Sequence, residues 1–97
     1  MARTPIHPGE ILADELETLG LNAAALAGQI NVPTACISEL VEGRRHLTAE
    51  MALRLGRYFG TTPEFWMNLQ KTYELDQARV ALGSALESLP QGPHAHS

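Results

Sequence analysis

The chain has one cysteine, Cys36, in 97 residues. No disulfide can form within it, which fits a reducing compartment such as the cytoplasm. No apolar run approaches the roughly 18 residues that mark a membrane span. Behind Met1-Ala2-Arg3-Thr4-Pro5 there is no apolar segment of the kind found in a secretory signal. No stretch alternates convincingly between apolar and polar residues, and no segment repeats, so strands and repeat architectures are not expected. Catalytic signatures are missing too: there is no nucleophile elbow, no glycine-rich phosphate loop and no His-Glu-x-x-His. The histidines, His7, His46, His94 and His96, form no ligand set with Cys, Asp or Glu. His94-x-His96 could at most hold stray ions. No cofactor, no metal site and no enzyme activity are expected.

Basic residues are absent from 4–43, a stretch that carries six acids: Glu10, Asp14, Glu15, Glu17, Glu39 and Glu42. Residues 44–57 then hold Arg44, Arg45, Arg54 and Arg57 against Glu50 alone. The net charge of −4 argues, as a sum, against a nucleic-acid binder. Its distribution argues the other way, because salt screens charges beyond roughly 8–10 Å and a local basic patch can dock phosphates on an acidic protein.

What is present is helical periodicity. The length fits one domain. The spacing predicts helix 1 from about Gly9 to Leu19, with Leu12, Leu16 and Leu19 on one face and Gly20 as its stop. Asn22 is a good N-cap for helix 2, Ala23 to Ile30, whose buried stripe is Leu26 and Ile30. Gly28 within it would mark a tight helix–helix contact. Helix 3 starts near Pro33-Thr34 and ends at Gly43, with Ile37, Leu40 and Val41 facing inward. Thr48 caps helix 4, whose core positions are Ala52, Leu55 and Phe59. Thr62-Pro63 opens helix 5, which carries Phe65, Trp66, Leu69, Tyr73 and Leu75. The pattern continues through Val80, Leu82, Leu86 and Leu89, loosened around Gly83. The fold class is therefore all-α: an arm over 1–7, one domain over 8–89, and a Pro/Gly/His/Ser tail over 90–97 expected to be disordered.

Helices 2 and 3, joined by Asn31-Val32-Pro33, form a helix-turn-helix motif over 22–43, the unit that lays its second helix in the DNA major groove. With Ile37, Leu40 and Val41 inward, Ala35, Ser38, Glu39 and Glu42 are pushed outward and Cys36 lies at a flank. Ser38 and Thr34 are the polar donors on that helix, for bases or phosphates in one reading and for capping or solvation in the other. Arg44 and Arg45 either answer the negative end of helix 3 or bind phosphates beside the groove. Arg54 and Arg57 read as surface ion-pair residues, Arg54 with Glu50 at i, i+4. Trp66 and Phe65 are core residues or, with Tyr73, part of a dimer or toxin interface. Cys36 has no basic neighbour in sequence to activate it as a redox thiol.

Several stretches in this order resemble the HigA-type antitoxins, a branch of the XRE/phage-repressor-like DNA-binding proteins. They are His7-Pro8-Gly9-Glu10-Ile11-Leu12, Val32-Pro33, Ile37 to Arg45, Leu47 to Leu55, and Tyr58 to Gln70. The likeness covers roughly residues 7–76. It implies a five-helix repressor-like domain, usually a homodimer, here with a C-terminal helical extension. It also implies a cytoplasmic antitoxin that neutralises a RelE-like mRNA-cleaving toxin, binds the double-stranded operator DNA of its own operon and represses it. The alternatives are a toxin-binding module with weakened DNA binding and an orphan transcriptional regulator without a toxin. By the same resemblance the start of helix 2, Asn22 and Ala23, would meet a phosphate. Thr34, Ala35, Cys36, Ser38 and Glu39 would face bases, with Arg44 and Arg45 beside them. Where the family commonly has Ser-Gln this chain has Asn22-Ala23, and where it commonly has Asn-Arg this chain has Ala35-Cys36. An arginine can bind guanine with two hydrogen bonds, worth about 1–3 kcal/mol of discrimination, and neither Ala nor Cys can do so.

Overall fold

A computed structural model describes residues 4–93, all helix and connecting turns. His94, His96 and the end of the expected disordered tail lie outside the described residues, as do Met1, Ala2 and Arg3 of the arm. The elements are α1 (Pro8–Leu19), α2 (Ala23–Ile30), α3 (Thr34–Val41), α4 (Ala49–Phe59), α5 (Pro63–Leu82) and a short α6 (Ser84–Glu87). Four of the first five, α1, α2, α4 and α5, start at a side chain that accepts from a free N–H group. The His7 imidazole accepts from the Gly9 N–H at 2.9 Å while Glu10 reaches back to the His7 N–H at 3.1 Å, a reciprocal capping box. Asn22 accepts from Ala25 at 2.8 Å, Thr48 from Met51 at 3.3 Å and Thr62 from Phe65 at 3.1 Å. Helix α3 has no side-chain cap; Pro33 sets its entry instead.

The core is aliphatic. Leu12, Leu16, Leu26, Ala27, Ile30, Ile37, Leu40, Leu47, Met51, Ala52 and Leu55 are buried, closed at one end by Trp66. Helix α4 packs chiefly on α5, α2 on α3, and α1 on α3. The start of α1 lies so close to the end of α3 that a Cβ on Gly9 would stand 1.8 Å from the Leu40 carbonyl oxygen. Only glycine allows that approach.

Four sequence expectations change. Leu19 is 51% exposed, not on the core face. The chain turns at Gly20 in the left-handed region, and the Leu21 N–H closes onto the Leu16 carbonyl at 2.9 Å, so Leu21 packs inward in its place. Gly28 marks no tight contact: nothing lies within 4 Å of where its Cβ would be, and the close approach belongs to Gly9. Helix α3 ends at Val41, with Glu42 as C-cap, rather than at Gly43, which takes a φ of 75° just beyond. Phe65, read as core or interface beside Trp66, is exposed; beyond the buried Asp76, Val80, Leu82, Leu86 and Leu89 are exposed too, so the end of α5 and α6 run past the body instead of packing on it.

Candidate nucleic-acid interface

Helix α3 presents two faces because its period places Ile37 and Leu40 on one side and Ala35, Ser38, Glu39 and Glu42 on the other. Ile37 and Leu40 are sealed in the core and Val41 is half-buried. Thr34 and Ala35 are exposed; Ser38 and Glu39 are half-exposed. Ala35 carries only a methyl group at the N-terminal end of the outward face, so the start of the helix backbone could come close to a groove floor. Cys36 turns off that face: it is half-buried against the core beside Pro33, Arg45 and Met51. At the start of α2, Ala23 is half-buried and Asn22 is exposed. The Asn22 side-chain oxygen is already engaged in the cap, leaving its amide to face outward.

The two arginines after α3 fold back onto it. Arg45 donates from Nε at 3.1 Å and from a terminal nitrogen at 2.7 Å to Oε1 of Glu39. Arg44 donates in the same way to Oε1 of Glu42, from Nε at 2.9 Å. These hydrogen bonds hold both guanidinium groups above their ordinary pKa. The positive patch is therefore present where the composition placed it, but it is knitted to the carboxylates of the recognition helix. Arg54 does pair with Glu50, at 3.0 Å, and also donates to the Ile30 carbonyl at 2.8 Å, tying α4 to the end of α2. Arg57, expected to pair, has no ion-pair partner among the described residues.

Two residues that composition and spacing did not single out hold this arginine loop in place. The buried His7 imidazole caps α1, stacks edge-on against Tyr73 at 4.8 Å and lies beside the backbone of Arg45. Burial pushes its pKa below 6.5, against the opposing pull of the nearby Arg45 backbone. Gln70, also buried, accepts from the Leu47 N–H at 2.8 Å and reaches Glu74 at 2.7 Å and His46 at 3.1 Å. His7 and Gln70 lie at the two ends of the likeness noted in the sequence; a buried polar side chain must find partners, and these found the loop.

The three aromatic interface candidates separate. Trp66 is 1% exposed and donates to the Thr61 hydroxyl at 2.9 Å, so it is a core residue and cannot meet a partner. Tyr73 is half-buried against His7, and Phe65 alone stands well exposed. Among the described residues no group of His, Cys, Asp and Glu is placed to hold a metal ion. No helix among them is long and apolar enough to cross a membrane.

No family model matches the chain. It is 49% identical over 74 residues to virulence-associated protein I of Dichelobacter nodosus, covering 75% of this chain and 68% of that protein. Over 78 residues it is 40% identical to antitoxin HigA-1 of Vibrio cholerae, covering 79% and 73%. In structure it superposes with a TM-score of 0.90 and 44% identity on a Pseudomonas aeruginosa protein solved with its 18-base-pair operator DNA, over 98% of this chain and 100% of that one. With its all-helical body, its helix-turn-helix and this degree of identity, the chain belongs to the HigA family of antitoxins, among the helix-turn-helix transcriptional regulators.

Proposed function

We propose that this chain is an operator-binding antitoxin that acts as a homodimer, represses its own operon and neutralises a RelE-like mRNA-cleaving toxin. The observation that carries the DNA-binding part is the outward face of α3, with a small residue at its N-terminal end and two arginines at its rim. Two such helices in a dimer would enter successive major grooves one turn apart. Ser38, Thr34 and Glu39 face the bases, Arg44 meets a phosphate after exchanging Glu42 for it, and Arg45 meets one through the N–H groups that Glu39 does not hold. Asn22 and the half-buried Ala23 border the phosphates at the start of α2.

The second copy is supported by the C-terminal helical extension, where Leu75, Val80, Leu82, Leu86 and Leu89 are all exposed. A surface of that kind is costly to leave in water and marks a contact site. The toxin is supported by charge: Asp14, Glu15 and Glu17 are exposed on α1, and a basic ribonuclease would be steered toward them. The chain's place is the cytoplasm, where such a toxin would act.

One observation favours a second reading, a toxin-binding module with a weakened DNA face: both arginines are already paired with acids on the recognition helix or at its C-cap. Titration against the gene's own upstream region at several salt concentrations separates the two. The first reading expects salt-dependent binding whose log–log slope falls by about 1.8 when Arg44→Ala and Arg45→Ala are combined, for two lost phosphate contacts. No binding at physiological salt, with a small basic protein still captured, supports the second.

A further inference from the structure

On α3 the side chains able to hydrogen-bond a base edge are few. Thr34 and Ser38 can serve any base. Glu42 stands beyond the last turn of α3, at the C-cap, and pairs locally with Arg44. Glu39 differs. It lies within the helix on the outward side, and Arg45, six residues on, holds it through two hydrogen bonds that both fall on Oε1. Its Oε2 accepts no hydrogen bond among the described residues. A carboxylate with one oxygen tethered and the other open is a fixed acceptor. Because the tether is a guanidinium, much of the charge that would repel the duplex is neutralised. Arg45 uses its Nε edge for this tether and keeps its remaining N–H groups for a phosphate.

Resting on the operator-binding reading, we infer that Glu39 is the specificity-determining residue of this protein: its free oxygen accepts from the N4 amino group of a cytosine in each half-site, and Arg45 positions it. Cytosine alone presents a donor without an adjacent acceptor in the major groove, so it is the base an acceptor-only side chain selects. The neighbouring Ala35 permits the approach, and the missing guanine-reading arginine is replaced by a reader of the complementary strand.

The test is selection of bound duplexes from a randomised pool by the full-length wild-type chain, Glu39→Gln, Glu39→Ala and Arg45→Gln, each checked for an unchanged melt. Wild type is expected to enrich one cytosine per half-site, with the preference over other bases roughly 5- to 150-fold. Glu39→Ala should lose that preference, and Glu39→Gln should exchange it for adenine. In Arg45→Gln the preference should drop along with the affinity. Retention of the wild-type cytosine in both Glu39 variants overturns the inference while leaving operator binding intact. Uniform tightening for every duplex in Glu39→Gln also overturns it, since Glu39 would then only repel phosphates. An intact preference in Arg45→Gln overturns the tether. A wild-type chain that enriches no sequence overturns the operator reading itself.

Discussion

Two sets of aliphatic residues follow helical spacing in this chain and meet opposite fates. Leu12, Leu26, Ile37, Leu40 and Leu55 disappear into the body, whereas Leu75, Val80, Leu82, Leu86 and Leu89 stay in contact with water. Composition does not separate them. Geometry does: α1 to α4 are short helices that cross within a body about 22 × 21 Å in section, so each apolar face meets another. Helix α5 has 20 residues and at 1.5 Å per residue spans about 30 Å. Its C-terminal part overshoots the body and has no facing element, which stretches the described molecule to 51 Å. Periodicity says which residues share a face. Burial requires something opposite.

The sharpest way to break this contrast is to empty the body. Trp66→Ala should destabilise the chain by about 3–5 kcal/mol, read from urea denaturation, because a fully buried indole and its bond to Thr61 are both lost. A loss under about 1 kcal/mol would show that the body is not tightly packed around Trp66.

The His7 junction should weaken next. Burial lowers the His7 pKa, so the folded state binds fewer protons than the unfolded chain. Its stability contribution is complete above 6.5 and is lost as pH falls from there through the lowered folded value. The melting temperature of the wild type should fall over that window, and His7→Asn, which can still cap α1, should flatten the fall. An identical acid profile in the variant would place the titration elsewhere.

Gly28→Ala runs in the opposite direction. With no atom within 4 Å of the new methyl group and an exposed helical position, it should stabilise by about 0.4–1 kcal/mol in the same denaturation experiment. Destabilisation would restore the tight contact that the sequence suggested. The smallest effect on monomer stability belongs to the arm: Leu82→Ser with Leu86→Ser should change it by no more than about 0.5 kcal/mol while abolishing self-association in sedimentation. A core-sized loss in dilute protein would erase the distinction between the two regions.

Much of the body was legible in the sequence because caps are local. Asn22, Thr48 and Thr62 act on N–H groups three residues away, and Ala23–Ile30 forms the helix its periodicity describes. Leu19 was misjudged because spacing cannot show that a turn at Gly20 brings Leu21 inward instead. Gly28 was misjudged for a related reason: a glycine signals freedom, but only the neighbouring helix shows whether that freedom is used. At the site, the outward face of α3 was readable from Ile37 and Leu40 alone. The anchors of the arginine loop, His7 and Gln70, lie 38 and 23 residues from Arg45 and Leu47, beside whose backbone they sit, too far for any local rule to connect.

By itself the sequence determined the helices, their capped starts and which side of α3 faces out, since these depend on interactions within a few residues. It also determined that the basic residues fall just behind that helix. Only the tertiary structure decided that Arg45 lies on Glu39, that one carboxylate oxygen is left open, and that the arm's leucines find no cover. Those outcomes depend on where separate helices cross, which is set by the packing of the whole body and by no single stretch of chain.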